Sequence, residues 1–160
     1  MAPLLASEIP AGVDPDLGDA LRRESVRAAA RDGLTDAALR ALTDALAGAG
    51  VDALVFKGAD LAYSCYSQSH LRPRIDSDIL TAHAARSRAH GVLDRLGYAQ
   101  VPQSGGDLLM YQEPFVLRDG DRILHTVDLH WRVANPQQFG DVAPFEDLWA
   151  DSEPRPRVGA

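Results

Sequence analysis

The spacing of apolar residues changes at residue 51, and this change limits the possible folds more than any other feature of the sequence. In residues 35–49 (TDAALRALTDALAGA) three leucines recur three and four positions apart, which predicts an amphipathic helix. Residues 52–56 (DALVF) then form a short apolar run, which predicts a strand. Because segments of helix length and strand length alternate from there on, the chain is predicted to pack helices against a sheet.

The remaining sequence gives a full set of predicted elements. We predict helices at residues 17–31, 35–49, 59–66 and 82–96, and strands at residues 52–56, 75–81, 98–101, 108–117 and 122–133. Asp119–Gly120, between the last two strands, is a typical hairpin turn. The predicted fold class is α+β (α/β), with a small mixed β-sheet flanked by helices. Residues 17–150 would form the domain, between an irregular arm at 1–16 and a disordered tail at 151–160.

Composition and charge exclude several classes of protein. The chain has 160 residues, enough for one domain, and no apolar run approaches the ~20 residues that a membrane span needs. Its net charge of −7 argues against nucleic acid as a partner, since domains that bind phosphate backbones usually have a basic face. A single cysteine excludes an internal disulfide and a cysteine-based zinc cluster, and we expect a cytoplasmic location.

Asp76 and Asp78 are the first candidates for a metal site. Residues two apart in a strand point to the same face, so the two carboxylates would lie side by side. Like charges at that distance repel, and a hard divalent cation such as Mg²⁺ removes the repulsion. The alternative is a solvated polar face on an edge strand, because an Asp-x-Asp pattern alone is weakly specific.

Asp128 lies in a second strand-like run, TVDLHW, and is the third candidate. A third carboxylate near the first two would complete a site for two metal ions, which activate the attacking oxygen and stabilise the leaving one. His130, two residues further along the same strand face, could contact a metal or a nucleotide. Taken alone, Asp128 fits a surface hairpin position and His130 fits a structural histidine, so their assignment depends on the strand context of both segments.

Candidate phosphate contacts lie before and after the third predicted helix, at residues 59–66. Lys57–Gly58–Ala59 joins a strand to a helix, and free N–H groups at a helix start favour phosphate, which a glycine allows to approach closely. The alternative is an ordinary strand-to-helix turn. Arg72 and Arg74, just before the Asp-x-Asp pair, could bridge to phosphates. They could equally be solvated charges, or Arg74 could pair with a neighbouring aspartate.

Together these segments resemble a known family. The run ALVFKGADLAYSCYSQSHLRPRIDSDIL, a helix that ends in LGY, and VDLHWRV are similar to the uncharacterised nucleotidyltransferase family, part of the DNA polymerase beta nucleotidyltransferase superfamily. The resemblance covers residues 51–133, about half of the chain. It consists of a Lys-Gly turn, an R-P-x-x-D-x-D segment and an aspartate followed by His-Trp.

The resemblance implies a polymerase-beta-like core, its metals bound by Asp76 and Asp78. Asp128 would be the third carboxylate, which helps to activate the acceptor, and Gly58 would form the phosphate turn with Lys57 beside it. The implied reaction transfers a nucleotidyl group from an NTP, with ATP as the favoured substrate and Mg²⁺ as the metal, to a hydroxyl of an unknown acceptor.

Two positions depart from the family pattern. Ala59 follows Gly58 where Gly-Ser is usual, so a serine contact to phosphate is lost. Ser77 stands between the two aspartates where an apolar residue is usual, which should weaken the packing under the site. Members often continue into a C-terminal helical region that we do not expect here. The alternative function is therefore a catalytically weak or inactive module that acts in binding or regulation, and the third possibility is a purely structural domain.

Overall fold

The computed structural model describes residues 9–10, 12–102, 111–133 and 143–154, which contain four α-helices, two short 3-10 helices and five strands. The α-helices are α1 (Pro15–Gly48), α2 (Lys57–Ser64), α3 (Arg86–Arg95) and α4 (Phe145–Ala150). The strands are β1 (Ala53–Phe56), β2 (Ser77–Thr81), β3 (Tyr98–Gln100), β4 (Gln112–Asp119) and β5 (Arg122–His130). Among the described helices, none has both the length and the hydropathy needed to cross a membrane.

The five strands form one mixed sheet in the order β1-β2-β5-β4-β3. β2 and β5 run parallel, and the other neighbouring strands are antiparallel. β4 and β5 form the predicted hairpin, in which Asp119 pairs with Arg122 and Gly120 has a positive φ of 55° in the turn. The predicted α+β class with a small mixed sheet and flanking helices is confirmed.

The predicted ends of the elements agree with the structure to within a few residues. α2 begins at Lys57, two residues before the predicted start, and β2 begins at Ser77. α1 begins at Pro15, where the Asp14 side chain accepts hydrogen bonds from two backbone N–H groups of the first turn. The rest of the predicted arm at 1–8 and 11, the tail at 155–160 and strand residues 108–110 lie outside the described residues, so the domain boundaries stay predictions.

The prediction of two N-terminal helices is wrong, since α1 is continuous through Gly33. A glycine inside a helix costs about 1 kcal/mol, which tertiary contacts can outweigh. Here Arg74 bridges Asp32 at 3.2 Å and Asp36 at 2.5 Å, two carboxylates on the same helix face that flank the glycine. This bridge connects the turns before and after Gly33, and the helix continues to Gly48.

One face of the sheet carries the hydrophobic core. The residues of β2 and β5 that alternate with the aspartates are Ile79, Val127 and Leu129, and all three are buried. The other members of this cluster include Leu39, Leu42 and Leu46 of α1, Ala89, Val92 and Leu93 of α3, and Tyr98 and Phe115 of the sheet. Because successive strand residues point to opposite faces, Asp78 and Asp128 lie on the face away from this core.

A buried polar chain lies beneath β2, on the core face. Ser77 Oγ is 2.9 Å from His125 Nε2, and Tyr98 Oη is 2.6 Å from His125 Nδ1. Ser77 was expected to weaken the packing under the site, but its hydroxyl has a buried partner. Burial and, to a smaller extent, the positive charge of Arg74 lower the pKa of His125 to about 4.

We expect this histidine to make the protein sensitive to mild acid. In the unfolded chain His125 would gain a proton near its ordinary pKa of 6.5, whereas the folded protein keeps it neutral down to about pH 4. Stability should therefore fall by about 3 kcal/mol as the pH drops through that window. Urea unfolding between pH 7 and 4.5 should show this slope, and His125→Gln should flatten it. His83→Gln, at an exposed position, is the matched control; equal slopes in both variants would contradict the assignment.

Candidate active site

Two aspartates and a histidine meet on the face of the sheet away from the hydrophobic core. Asp78 of β2 and Asp128 of β5 are direct partners in the parallel register. His130 lies two residues beyond Asp128 on the same strand face. One ligand atom from each of these three residues lies within 4.8 Å of the others. The structure thus brings together two of the three predicted carboxylates and the histidine that was predicted beside them.

The Asp78 carboxylate is the best-connected group of the site. Lys57 Nζ donates a hydrogen bond to Asp78 Oδ1 at 2.8 Å, and His130 Nε2 lies 2.8 Å from the same oxygen. Lys57 Nζ is also 3.4 Å from His130 Nε2. Burial opposes ionisation of Asp78, but the hydrogen bonds from His130 and Lys57 outweigh it and lower the pKa of Asp78. The carboxylate is therefore charged and has a cation beside it.

Asp128 is in the opposite electrostatic situation. Burial raises the pKa of Asp128, and the negative charges of Asp76 and Asp78 raise it further. Its described hydrogen-bond donor is the neutral amide of Gln112, whose Nε2 lies 2.7 Å from Asp128 Oδ2. The sequence did not indicate Gln112 as a site residue, because its position depends on the β4–β5 register that pairs it with His130.

Asp76 precedes β2 and lies outside the three-residue cluster. It is partly exposed, whereas Asp78 is buried. Its charge nevertheless acts on Asp128, as the raised pKa of Asp128 shows. Asp76 therefore contributes negative charge at the edge of the site, next to the point where β2 begins.

Lys57 holds its position through an uncommon backbone conformation. It has a φ of +53°, and non-glycine residues with positive φ are rare and cost about 1–3 kcal/mol. This residue is the first of α2 and follows directly after β1. It is also the only lysine in a sequence with 16 lysine and arginine residues. That composition is the signal by which the sequence could have singled out Lys57 as a charge partner of Asp78.

The start of α2 lies beside the side chain of Arg72. A Cβ added to Gly58 would be 3.9 Å from Arg72 Nη2 and would meet no other described atom closely. Arg72 Nε is buried without a hydrogen-bond partner among the described residues. Phe56 precedes the helix and provides no side-chain cap. The side chain of Ala59 points into the hydrophobic core and is fully buried, so its backbone N–H is the group that can face a phosphate.

The guanidinium of Arg74 contacts α1 instead of the proposed phosphate site. Its side chain is 4% exposed and forms ion pairs with Asp32 and Asp36 of α1. Arg74 also donates a hydrogen bond to Tyr63 Oη at 2.8 Å and lies 4.9 Å from the centre of the Tyr63 ring. Of the three possibilities drawn from the sequence, this geometry matches pairing with a neighbouring aspartate, and we leave Arg74 out of the phosphate site.

The donor set of the cluster fits a divalent cation. Two carboxylates and an imidazole are ligand types that divalent metals accept, and carboxylate oxygens suit Mg²⁺ in particular. His130 is fully buried, and its Nδ1 has no hydrogen-bond partner among the described residues. The Lys57 ammonium supplies positive charge at Asp78, where a metal ion would also act.

The fold and the site together define an α+β protein with paired carboxylates on the sheet face away from its hydrophobic core. The sequence profile of the uncharacterised nucleotidyltransferase family matches residues 2–159, and the chain belongs to this family. The match confirms the resemblance seen in residues 51–133 and extends it to nearly the whole chain. Family membership supports a general role in nucleotidyl transfer and implies an NTP substrate and a divalent metal. No curated protein and no solved structure gives a significant match.

Proposed function

We propose that the protein transfers a nucleotidyl group from an NTP to a hydroxyl of an acceptor that is still unidentified, by two-metal catalysis. Mg²⁺ is the proposed metal, ATP the favoured substrate and the cytoplasm the proposed location. The observation that carries this proposal is the in-register pairing of Asp78 with Asp128 on the sheet face away from the hydrophobic core, with His130 beside them. Paired carboxylates on adjacent rigid strands hold their oxygens at a fixed separation.

The carboxylates have distinct roles in this proposal. Asp78 and Asp128 would hold the metal ions from the strands, and Asp76, whose charge acts on Asp128, would complete the metal site at its edge. Bound divalent cations would neutralise charge on the phosphates and make the acceptor hydroxyl more acidic. Asp128 has a raised pKa, so it is the carboxylate best suited to accept the proton of the acceptor hydroxyl. Gln112 orients Asp128 through its hydrogen bond.

The phosphates are proposed to lie at the start of α2. The backbone N–H groups of Gly58 and Ala59 and the guanidinium of Arg72 provide donors there. Lys57 is 43% exposed, so its side chain can turn from Asp78 to a phosphate without a change in the fold. The space in front of Gly58 lets a phosphate oxygen approach the backbone closely.

Calorimetry of ATP binding, with and without Mg²⁺, tests the proposal on the wild type and on Asp76→Asn. We expect the variant to lower the Mg²⁺-dependent affinity for ATP at least about tenfold. Its melting temperature should be unchanged or higher, because the substitution removes a charge that repels Asp128. Equal ATP affinity in all four measurements would show that these aspartates are not a metal site.

A second candidate function is a catalytically weak or inactive module that binds or regulates a partner. Two observations favour it: the Lys57 ammonium already compensates the charge of Asp78, to which His130 is also hydrogen-bonded, and the position of the usual phosphate-binding serine is a buried alanine. Absence of ATP binding in every one of the four measurements would support this second function over the first.

A further inference from the structure

A pocket lies at the carboxyl ends of β2 and β5, beyond the carboxylate site. It is a pocket of about 270 Å³ between these strand ends and helix α4. Its walls are formed by Leu80, Ala82, His83, Trp131, Arg132, Ala143, Pro144, Phe145 and Glu146. The walls are therefore mainly apolar and aromatic, with one fixed positive and one fixed negative charge, the usual make-up of a small-molecule site. The residues proposed for metal and phosphate binding are not part of it.

The pocket is continuous with the carboxylate site along one face of the sheet. Leu80 follows Asp78 by two residues in β2, and Arg132 follows His130 by two residues after β5. Leu80 also pairs with His130 in the parallel register. Leu80 is 2% exposed but is not a member of the main core cluster, as expected for the opposite face. The strand rise places it about 7 Å beyond Asp78.

Contacts with residues outside the pocket hold the Trp131 ring in position. The Arg86 guanidinium lies 4.2 Å from the centre of the Trp131 ring. Glu113, a buried carboxylate, accepts hydrogen bonds from that guanidinium and lies 2.5 Å from His90 Nε2. Trp131 itself is 8% exposed. Its position does not depend on a ligand, so the pocket is already formed in the free protein.

The strand directions show that the proposed phosphate site and the pocket lie at opposite ends of β2. β1 runs antiparallel to β2, and its last residue, Phe56, pairs with Asp78 near the beginning of β2. Gly58 and Arg72 therefore lie toward the amino end of β2, whereas the pocket lies beyond its carboxyl end. A nucleotide with its outer phosphates at Gly58 and its α-phosphate at the aspartates would extend its nucleoside toward the pocket.

We propose that this pocket binds the base of the NTP, and this inference rests on the proposed nucleotidyl transfer. The walls formed by Leu80, Trp131 and Phe145 match the apolar faces of a planar heteroaromatic ring. Arg132 can donate hydrogen bonds to acceptors on the edge of the base, and Glu146 can accept them from an amino group. A volume of about 270 Å³ accommodates a ring system rather than a large ligand.

Tryptophan fluorescence provides a direct readout, because both tryptophans of the chain are at the pocket. Trp131 lines it, and Trp149 stacks on Phe145 at a centroid distance of 5.9 Å. We would titrate the full chain with ATP and, separately, with inorganic tripolyphosphate, both with Mg²⁺. ATP should bind about tenfold more tightly than tripolyphosphate, from stacking of its base, and only ATP should quench the fluorescence.

Three variants decide whether this pocket is responsible. Ala82→Phe fills the pocket and should reduce ATP affinity to that of tripolyphosphate, whose own binding should not change. Phe145→Ala removes a wall and should weaken ATP binding alone, which keeps the test valid if the first variant fails to fold. Ala84→Phe, at an exposed neighbouring position outside the pocket, should bind both ligands like the wild type.

Two results would overturn the inference while leaving the proposed function intact. One is a wild type that binds tripolyphosphate as tightly as ATP. The other is a folded Ala82→Phe and a Phe145→Ala that both bind ATP with wild-type affinity. If neither ATP nor tripolyphosphate binds the wild type, the proposed function fails and the inference fails with it.

Discussion

Asp78→Asn should destabilise the protein, whereas Asp128→Asn should stabilise it, although both should abolish Mg²⁺-dependent nucleotidyl transfer. The Asp78 side chain is 10% exposed. It accepts a hydrogen bond from Lys57, and His130 Nε2 lies 2.8 Å from the same carboxylate oxygen. Losing its charge should cost about 2 kcal/mol of unfolding free energy. Asp128 lies near the like charges of Asp76 and Asp78. Removing the charge of Asp128 should therefore raise the free energy of unfolding by roughly 0.2–1 kcal/mol. Urea unfolding measures both changes, and transfer should fall at least about a hundredfold.

The opposite signs separate a metal site from a solvated polar face. If the aspartates were only part of a solvated polar face, both substitutions would change the free energy of unfolding by the same small amount. Neither would change the affinity for ATP. Asp52→Asn is the matched control, because Asp52 is exposed just before β1 and lies outside the cluster. If Asp128→Asn destabilised the protein as much as Asp78→Asn, the electrostatic difference between the two aspartates would be contradicted.

The fold was predictable because its elements are encoded locally. A short apolar run predicted β1, and a run with polar residues on one face predicted β2. An Asp-Gly turn predicted the β4–β5 hairpin, and helical periodicity predicted the core half of α1. The continuity of α1 was not predictable, since its glycine is compensated by Arg74, which lies far along the chain and reaches two aspartates of the helix. Local propensity contains no information about such a bridge.

The site was predictable where strand periodicity sets the geometry. Asp78 and Asp128 were identified because each lies in a strand, and the parallel register then places them side by side. Gln112, and the ion pair of Lys57 with Asp78, depend on how distant strands and turns are arranged. Arg72 and Arg74 look alike in sequence. Packing alone decides that Arg74 is buried against α1 while Arg72 lies beside Gly58.

The contacts of Asp78 suggest an order of events when a nucleotide binds. Its carboxylate already has a cation beside it, so a metal ion has to compete with the Lys57 ammonium. A phosphate at Gly58 offers that ammonium another anion close to its present position. Metal binding and phosphate binding should therefore favour each other, since each frees the group that the other requires.

Lys57→Met should consequently change two affinities in opposite directions. Without nucleotide, the variant should bind Mn²⁺ about tenfold more tightly than the wild type, because no ammonium competes for Asp78. With Mg²⁺ present, it should bind ATP about tenfold more weakly, because a phosphate contact is lost. Calorimetry with Mn²⁺ alone and with ATP and Mg²⁺ measures the two constants on the same preparation.

Amine labelling of the wild type provides an independent check, since Lys57 is the only lysine in the chain and has a 43% exposed side chain. Mn²⁺ should accelerate acetylation of Lys57 by displacing it from Asp78, and ATP with Mg²⁺ should protect it. Lys57→Arg is the control, because it keeps the charge and should keep metal affinity low. If Lys57→Met weakened both Mn²⁺ and ATP binding, Lys57 would be a fixed structural partner of Asp78, and the exchange between aspartate and phosphate would be wrong.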